Sequence, residues 1–310
     1  GLGCWQLGGD FGPVDDHRAA QVLAEADRQG INFWDTADVY GGGLSEQRIA
    51  AFRQAAPTEA IVATKVGRDG ALYPDKYTKE NVRANLQGSA ERLKVDALDL
   101  AQLHCVPPEV LMDGDILAWM EDFQSEGLVR HFGASVETLD EALFAARHPK
   151  LASLQIIFNL FRQDAIEKLF PVAQANDVGV IVRLPLASGV LAGKMSRETR
   201  FAESDHRNYN RNGEFFSQGE TFSGIPFEKA LELVETVRTL LPGDMSMAQM
   251  AMRWILDQPA VSSVIAGATR PGQIIENASV SDLPPLSSEL HARLTYFYWA
   301  VVQPAIRVPV

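Results

Sequence analysis

Cysteine is nearly absent: the 310 residues contain two, Cys4 and Cys105. A disulfide framework is therefore excluded, and neither thiol has a neighbour at metal-site spacing. The six histidines (His17, His104, His131, His148, His206, His291) form no close pair of the zinc-binding kind, so no metal ion is expected. Positive charge is also scarce, 28 Lys and Arg against 40 Asp and Glu for a formal net charge of −12. That balance excludes nucleic acid and anionic membrane surfaces as expected partners, because phosphate contacts need a basic face. No run approaches the roughly 18 uninterrupted apolar residues of a spanning helix, and the first residues lack the charged and apolar regions of a signal peptide. A cytoplasmic protein is expected. Gly1 already falls in a strand-like run, which leaves the native start of the chain open.

Against these absences, apolar β-rich runs alternate with amphipathic ones along the whole chain, with no low-complexity linker between them. Strands are expected at Gly1–Cys4, Asn32–Asp35, Ile61–Val66, Leu98–Leu103, Phe132–Ala134, Leu154–Ile157, Gly179–Leu184 and Ser263–Ile265. Helices are expected at Asp16–Gln29, Ser45–Gln54, Thr78–Leu93, Gly114–Glu126, Thr138–Arg147, Asp164–Asn176, Phe227–Leu240, Ser246–Leu256 and Pro271–Val280. Strand-helix alternation builds parallel sheets, and roughly 250 residues suffice for a (β/α)8 TIM barrel, the α/β fold expected here as a single domain over residues 1–310. Asp16 and Ser45 are good helix-capping types, Thr78 with Asn81 a weaker one, and Gly30 and Gly127 suit left-handed helix ends. The long irregular stretch 199–226 is expected to be functional or disordered. A further helix within Ser287–Val301 and an extended tail complete the segment 287–310.

The chain is organised around Asp35-Thr36-Ala37-Asp38-Val39-Tyr40-Gly41, at the junction of the second strand and its helix. Asp35 ends the second strand, Lys65 ends the third and His104 follows the fourth, so a barrel would bring all of them with Tyr40 to its C-terminal mouth, where barrel enzymes keep their chemistry. A phenol is a poor acid near neutrality, and an ammonium within about 4–6 Å lowers its pKa; Lys65 is expected to do this for Tyr40, held charged by Asp35. His104 would bond a substrate carbonyl oxygen and share the proton transfer. Each residue alone has an ordinary structural explanation as a turn, packing, solvated or core group. Their recurrence on successive strand ends is what points to a site.

These motifs resemble the aldo-keto reductase family over essentially the whole chain. The likeness rests on Gly1-Leu2-Gly3-Cys4-Trp5, on Asp35 through Gly41 with Ser45-Glu46, on Leu98-Asp99-Leu100 with His104, and on Gly127 through Ser135. The resemblance implies a tetrad of Asp35, Tyr40, Lys65 and His104, with Tyr40 as general acid in NADPH-dependent reduction of an aldehyde or ketone. It further implies an NADPH/NADP+ site. Gly3, Cys4 and Trp5 belong to that site, Ser135 and Gln155 would bond the carboxamide, and Arg183, Pro185, Leu186, Ser188, Gly189 and Lys194 would wrap the pyrophosphate. Gly267, Thr269, Arg270, Gln273, Glu276 and Asn277 would hold the adenosine end. No glycine fingerprint of a doubly wound dinucleotide fold follows any strand, consistent with a barrel. The helix starting at Pro271 offers free amides, and Arg270 a guanidinium, to a 2′-phosphate.

Two positions depart from the family pattern. Arg183 stands where many members carry a nicotinamide-stacking aromatic, although a guanidinium can lie over a π-system. Val136 stands where many have Asn. The substrate pocket is expected from Trp5, Tyr40, His104, Phe158 and Phe216. Cys105 reads as a buried small hydrophobe. Two other functions stay open: a cofactor-binding regulatory subunit resembling potassium-channel β subunits, and a barrel lyase using Lys65 in a Schiff base. The partner expected is a small carbonyl compound, with homo-oligomerisation left open.

Overall fold

The computed structural model describes residues 1–9 and 11–309. The strands are β1 (Leu2–Gly3), β2 (Phe33–Asp35), β3 (Ile61–Val66), β4 (Leu98–His104), β5 (Val129–Ser135), β6 (Ser153–Ile157), β7 (Gly179–Arg183), β8 (Val261–Val264) and β9 (Ala266–Gly267). All pair in parallel, in the order β8-β7-β6-β5-β4-β3-β2-β1-β9. The strand expected at Ser263–Ile265 is observed as β8, which pairs with β7, and a further strand, β9, follows Ile265 and pairs with β1; Ile265 N donates to Val182 O at 3.0 Å between them. One short segment closes the ring, and the (β/α)8 TIM barrel expected from the alternation is the fold.

Apart from exposed Ile61, β3 is buried throughout, as a parallel strand covered on both faces must be. Trp34, Phe132, Phe158 and Trp254 lie in the main core, between the sheet and its surrounding helices. Inside the ring, Ala63, Leu100, Ile181 and Ile265 form a small apolar plug. Leu100 and Ile181 face a cavity of ≈ 940 Å³ at the N-terminal ends of the strands, whereas Ile265 faces the C-terminal mouth.

Several element ends differ from expectation for local reasons. Asp15, not Asp16, caps the first helix by accepting from Arg18 N at 2.7 Å. Ser45 does not cap: its helix begins at Leu44 after Gly43 (φ 92°), and its hydroxyl bonds Cys4 O and Thr36 Oγ1. The expected 164–176 helix breaks at Leu169 into Ala165–Lys168 and Phe170–Ala175, Pro171 in the first turn of the second having no amide to donate. The helix expected at Gly114–Glu126 is present as Ile116–Ser125, and a short helix not expected, Pro108–Met112, precedes it. Thr78 caps through Asn81, and Gly30 and Gly127 take positive φ as expected. The last long helix, Ser288–Phe297, unwinds through a π turn at Tyr298–Val302.

The stretch 199–226 contains the short helix His206–Tyr209 and single turns at Gln218–Glu220 and Phe222–Gly224. It lies over the mouth. The C-terminal tail holds it there, Arg307 N donating to Gly224 O at 3.0 Å, and Arg162 reaches Pro309 O at 2.7 Å. Among the described residues no helix is long and apolar enough to cross a membrane.

Candidate active site

Parallel pairing puts the last residues of β2, β4, β5 and β7, namely Asp35, His104, Ser135 and Arg183, on one rim with Lys65 and Gln155 just inside it. Lys65 Nζ donates to Asp35 Oδ1 at 2.5 Å, to Thr36 O at 2.7 Å and to Tyr40 Oη at 3.1 Å. The other carboxylate oxygen of Asp35 accepts from Gln155 Nε2 at 2.6 Å and from Gln102 Nε2 at 3.2 Å. The Tyr40 ring stacks on Trp5 (5.8 Å between centroids) and meets the His104 ring edge-on at 6.0 Å. All four expected residues therefore meet at the mouth. Gln102 was not anticipated, although strand parity signals it: two residues before His104, it points to the same side of β4.

The electrostatics overturn one expectation. Tyr40 is pushed up to about 12, because burial outweighs the Lys65 charge beside it, and Asp35 opposes Lys65 as well. The phenol stays protonated at neutral pH. Burial pulls the Lys65 pKa down, but the Asp35 charge and hydrogen bond hold it above the usual ammonium value. Burial, helped by the charges of Arg68, Lys65 and Arg183, holds His104 well below the ordinary imidazole value. Its imidazole is thereby kept from gaining a charge near neutral pH.

A cleft of ≈ 320 Å³ runs from these residues to the start of the helix Pro271–Ser279. Of the residues expected around a cofactor, Gly3, Trp5, Ser135, Gln155, Arg183, Pro185, Leu186, Ser188, Gly189, Gly267, Thr269 and Gln273 line it. Cys4, Lys194, Arg270, Glu276 and Asn277 do not line it. Cys4 is buried beneath β1; Lys194, Arg270 and Glu276 are exposed; Asn277 faces the cavity at the opposite end. The two amides just before the helix are engaged, since Gln273 Oε1 accepts from Thr269 N, Thr269 Oγ1 and Arg270 N. Ser188 Oγ is engaged with Glu220 O and Phe222 N, which ties the long stretch down. Gln6, unforeseen, lies flat on Gly267, where an added Cβ would fall 2.1 Å from its Nε2.

A second cavity, ≈ 640 Å³, shares Trp5, Tyr40, His104 and Glu220 with the cleft and adds Phe216 and Arg68. Phe158 is not in it. Three residues after Gln155 along the strand direction, it points to the opposite face and stacks on Trp254 at 5.0 Å among the outer helices. Four charges collect at the edge of this cavity. Glu220 bridges Arg68 (3.1 Å) and Arg183 (3.3 Å), and Arg68 also holds Glu137 at 2.5 Å. The carboxylates of Glu137 and Glu220 with Cys105 Sγ are the one group of potential metal ligands among the described residues, and guanidinia already engage both carboxylates. Arg183 Nη2 donates to Val136 O at 3.2 Å, so the two departures from the family pattern touch one another. Cys105 is half-buried, and its thiol is pushed up by burial.

Backbone strain gathers here. Of the eight non-glycine residues with positive φ among the described residues, six surround this mouth: Cys105, Leu184, Ala187, Ser188, Phe222 and Ser223. Such conformations cost roughly 1–3 kcal/mol each and persist where surrounding structure enforces them.

The sequence model of the "Aldo/keto reductase family" matches residues 1–298. The NADH-specific methylglyoxal reductase of Escherichia coli is 27% identical over 307 residues, covering 91% of this chain and 89% of that protein. A probable voltage-gated potassium channel subunit beta of rice is 29% identical over 299 residues, covering 89% and 86%. Among solved structures, the glycerol dehydrogenase AKR11B4 of Gluconobacter oxydans superposes with a TM-score of 0.77 at 27% identity, covering 100% of this chain and 92% of that one.

Proposed function

The chain belongs to the aldo/keto reductase family, and from that premise we propose that it reduces the carbonyl of an aldehyde or ketone to an alcohol, with NADPH as reductant. The observation that carries this reading is the buried relay from Asp35 through Lys65 to the Tyr40 hydroxyl, with neutral His104 across the ring from it. The residues present suit a dinucleotide. Arg183 Nε and Gln6 Oε1 are buried without partners, and both residues line the cleft. Gly3 and Gly267 would form its floor, Ser135 and the free oxygen of Gln155 would meet the carboxamide, and Gly189 with Leu186 would border the pyrophosphate. When bound, the reduced nicotinamide supplies the hydride.

Tyr40 supplies the proton. A phenol with a pKa of about 12 remains a competent donor, because an alkoxide is a base comparable to hydroxide, whose conjugate acid has a pKa of about 15.7. Lys65 stabilises the phenolate left behind, and Asp35 keeps Lys65 charged. His104 donates one N–H to the carbonyl oxygen and orients it. Trp5 and Phe216 supply the apolar wall. One barrel domain over residues 1–310, acting in the cytoplasm on a small carbonyl compound, completes the reading.

The decisive assay follows NADPH absorbance with a panel of aldehydes, ketones and sugars. Turnover supports the reading, and none with any of them, together with co-purification of a single partner, would favour a cofactor-binding regulatory subunit, the reading to which the rice relative lends weight. Arg270, exposed at the helix start, is assigned to a 2′-phosphate; a clear preference for NADH in kcat/KM, as the name of the Escherichia coli relative states for that enzyme, would remove that role.

A further inference from the structure

Four buried or half-buried charges sit where the cleft and the second cavity adjoin, Arg183 and Glu220 lining the first and Arg68, Glu137 and Glu220 the second, and they differ in how they are anchored. Arg68 and Glu137 follow the ends of β3 and β5, and Arg183 ends β7. Glu220 alone comes from the irregular stretch 199–226, and its carboxylate is the group that joins the two guanidinia. The set is balanced, two positive charges against two negative. Removing Glu220 from it would leave a guanidinium uncompensated where burial costs several kcal/mol per unpaired ion. A neutral molecule cannot take its place at that cost; another carboxylate can, because the exchange conserves charge and offers the same planar acceptor to the same forked donors.

Resting on the reduction proposed above, we propose that the carbonyl substrate carries a carboxylate, as in an oxo acid or a semialdehyde, which replaces Glu220 between Arg68 and Arg183. Glu220 then acts as the internal stand-in for the substrate's anionic end. Arg68 and Arg183 are specificity-determining residues, and the apolar wall of Trp5 and Phe216 accommodates the short chain between carboxylate and carbonyl.

The matched pair succinic semialdehyde and butanal tests this, the two differing in the terminal carboxylate. Wild-type protein with NADPH should show kcat/KM at least tenfold higher for the semialdehyde, and butyrate should inhibit butanal reduction competitively. In Arg68→Met that preference should fall at least tenfold, and in Glu220→Gln the KM for the semialdehyde should drop severalfold as the competing carboxylate goes. Equal or better use of butanal without inhibition by butyrate would overturn the inference while leaving carbonyl reduction intact. Failure of both aldehydes and of the wider carbonyl panel would overturn both. If Arg68→Met does not fold, the wild-type ratio and the butyrate inhibition decide alone.

Discussion

Lys65 Nζ lies 2.5 Å from Asp35 Oδ1, and the two residues, thirty positions apart, are almost completely sealed from solvent. Breaking a buried pair by removing one partner strands the other charge. Lys65→Met should therefore destabilise the fold by about 3–5 kcal/mol, measured by urea unfolding, and the double variant with Asp35→Asn should recover much of that loss. Additive losses in the double variant would mean the two charges do not depend on one another.

Tyr40→Phe deletes the proton donor while keeping the ring that stacks on Trp5. Lys65 retains its Asp35 and Thr36 acceptors, so the barrel should stay stable. We expect kcat to fall about 10²–10⁴-fold with cofactor affinity within a few-fold of the parent, read by turnover and by fluorescence titration. Undiminished turnover would assign the proton to another group.

Asp38 sits in the same loop with one oxygen buried and unpartnered, and burial raises its pKa from 3.8 to about 7. Its folded-state pKa exceeds its unfolded one, so the stability it contributes is complete below about pH 4 and is lost as pH rises through 7, by linkage about 4 kcal/mol. Asp38→Asn should abolish that loss. The stability difference between variant and parent should therefore widen by a few kcal/mol from pH 5 to pH 8 in urea titrations, and a constant difference would contradict the assignment.

His206 has the opposite sign. Burial lowers it from 6.5 to about 4 against the pull of Asp205, whose Oδ1 lies 3.7 Å from Nδ1; neither ring nitrogen is hydrogen-bonded, and the ring packs between Trp5 (4.8 Å) and Phe11 (4.6 Å). Its contribution is complete above pH 6.5 and fades as pH falls toward 4. Residues 199–226 should accordingly exchange amide hydrogens faster at pH 4.5 than at pH 7.5 relative to the barrel strands, after correction for intrinsic rates, and His206→Phe should remove that acid response. An unchanged response in the variant would place the titrating group elsewhere.

What was legible in the sequence was whatever one stretch of chain decides. Apolar runs such as Ile61–Val66 marked the strands, and polar residues at their ends marked Asp35, Lys65 and His104, because strand direction alone sets the rim on which they meet. Parity would also have found Gln102 and removed Phe158 from the pocket. The pKa of Tyr40 was not legible, since it depends on how deeply tertiary packing buries the phenol against a charge that sequence spacing did suggest. Nor was the Arg68, Glu137, Arg183 and Glu220 set: four separate segments bring it together, and each residue alone looks like an ordinary surface charge.

The strand β9 that follows Ile265 has a mechanical corollary. Ala266 and Gly267 both fasten the ring to β1 and border the cleft, so the hoop's clasp doubles as the bed on which a ligand would rest. Whatever occupies that bed braces the clasp, and the melting temperature of the entire barrel becomes a gauge of occupancy, rising with the logarithm of ligand concentration above Kd.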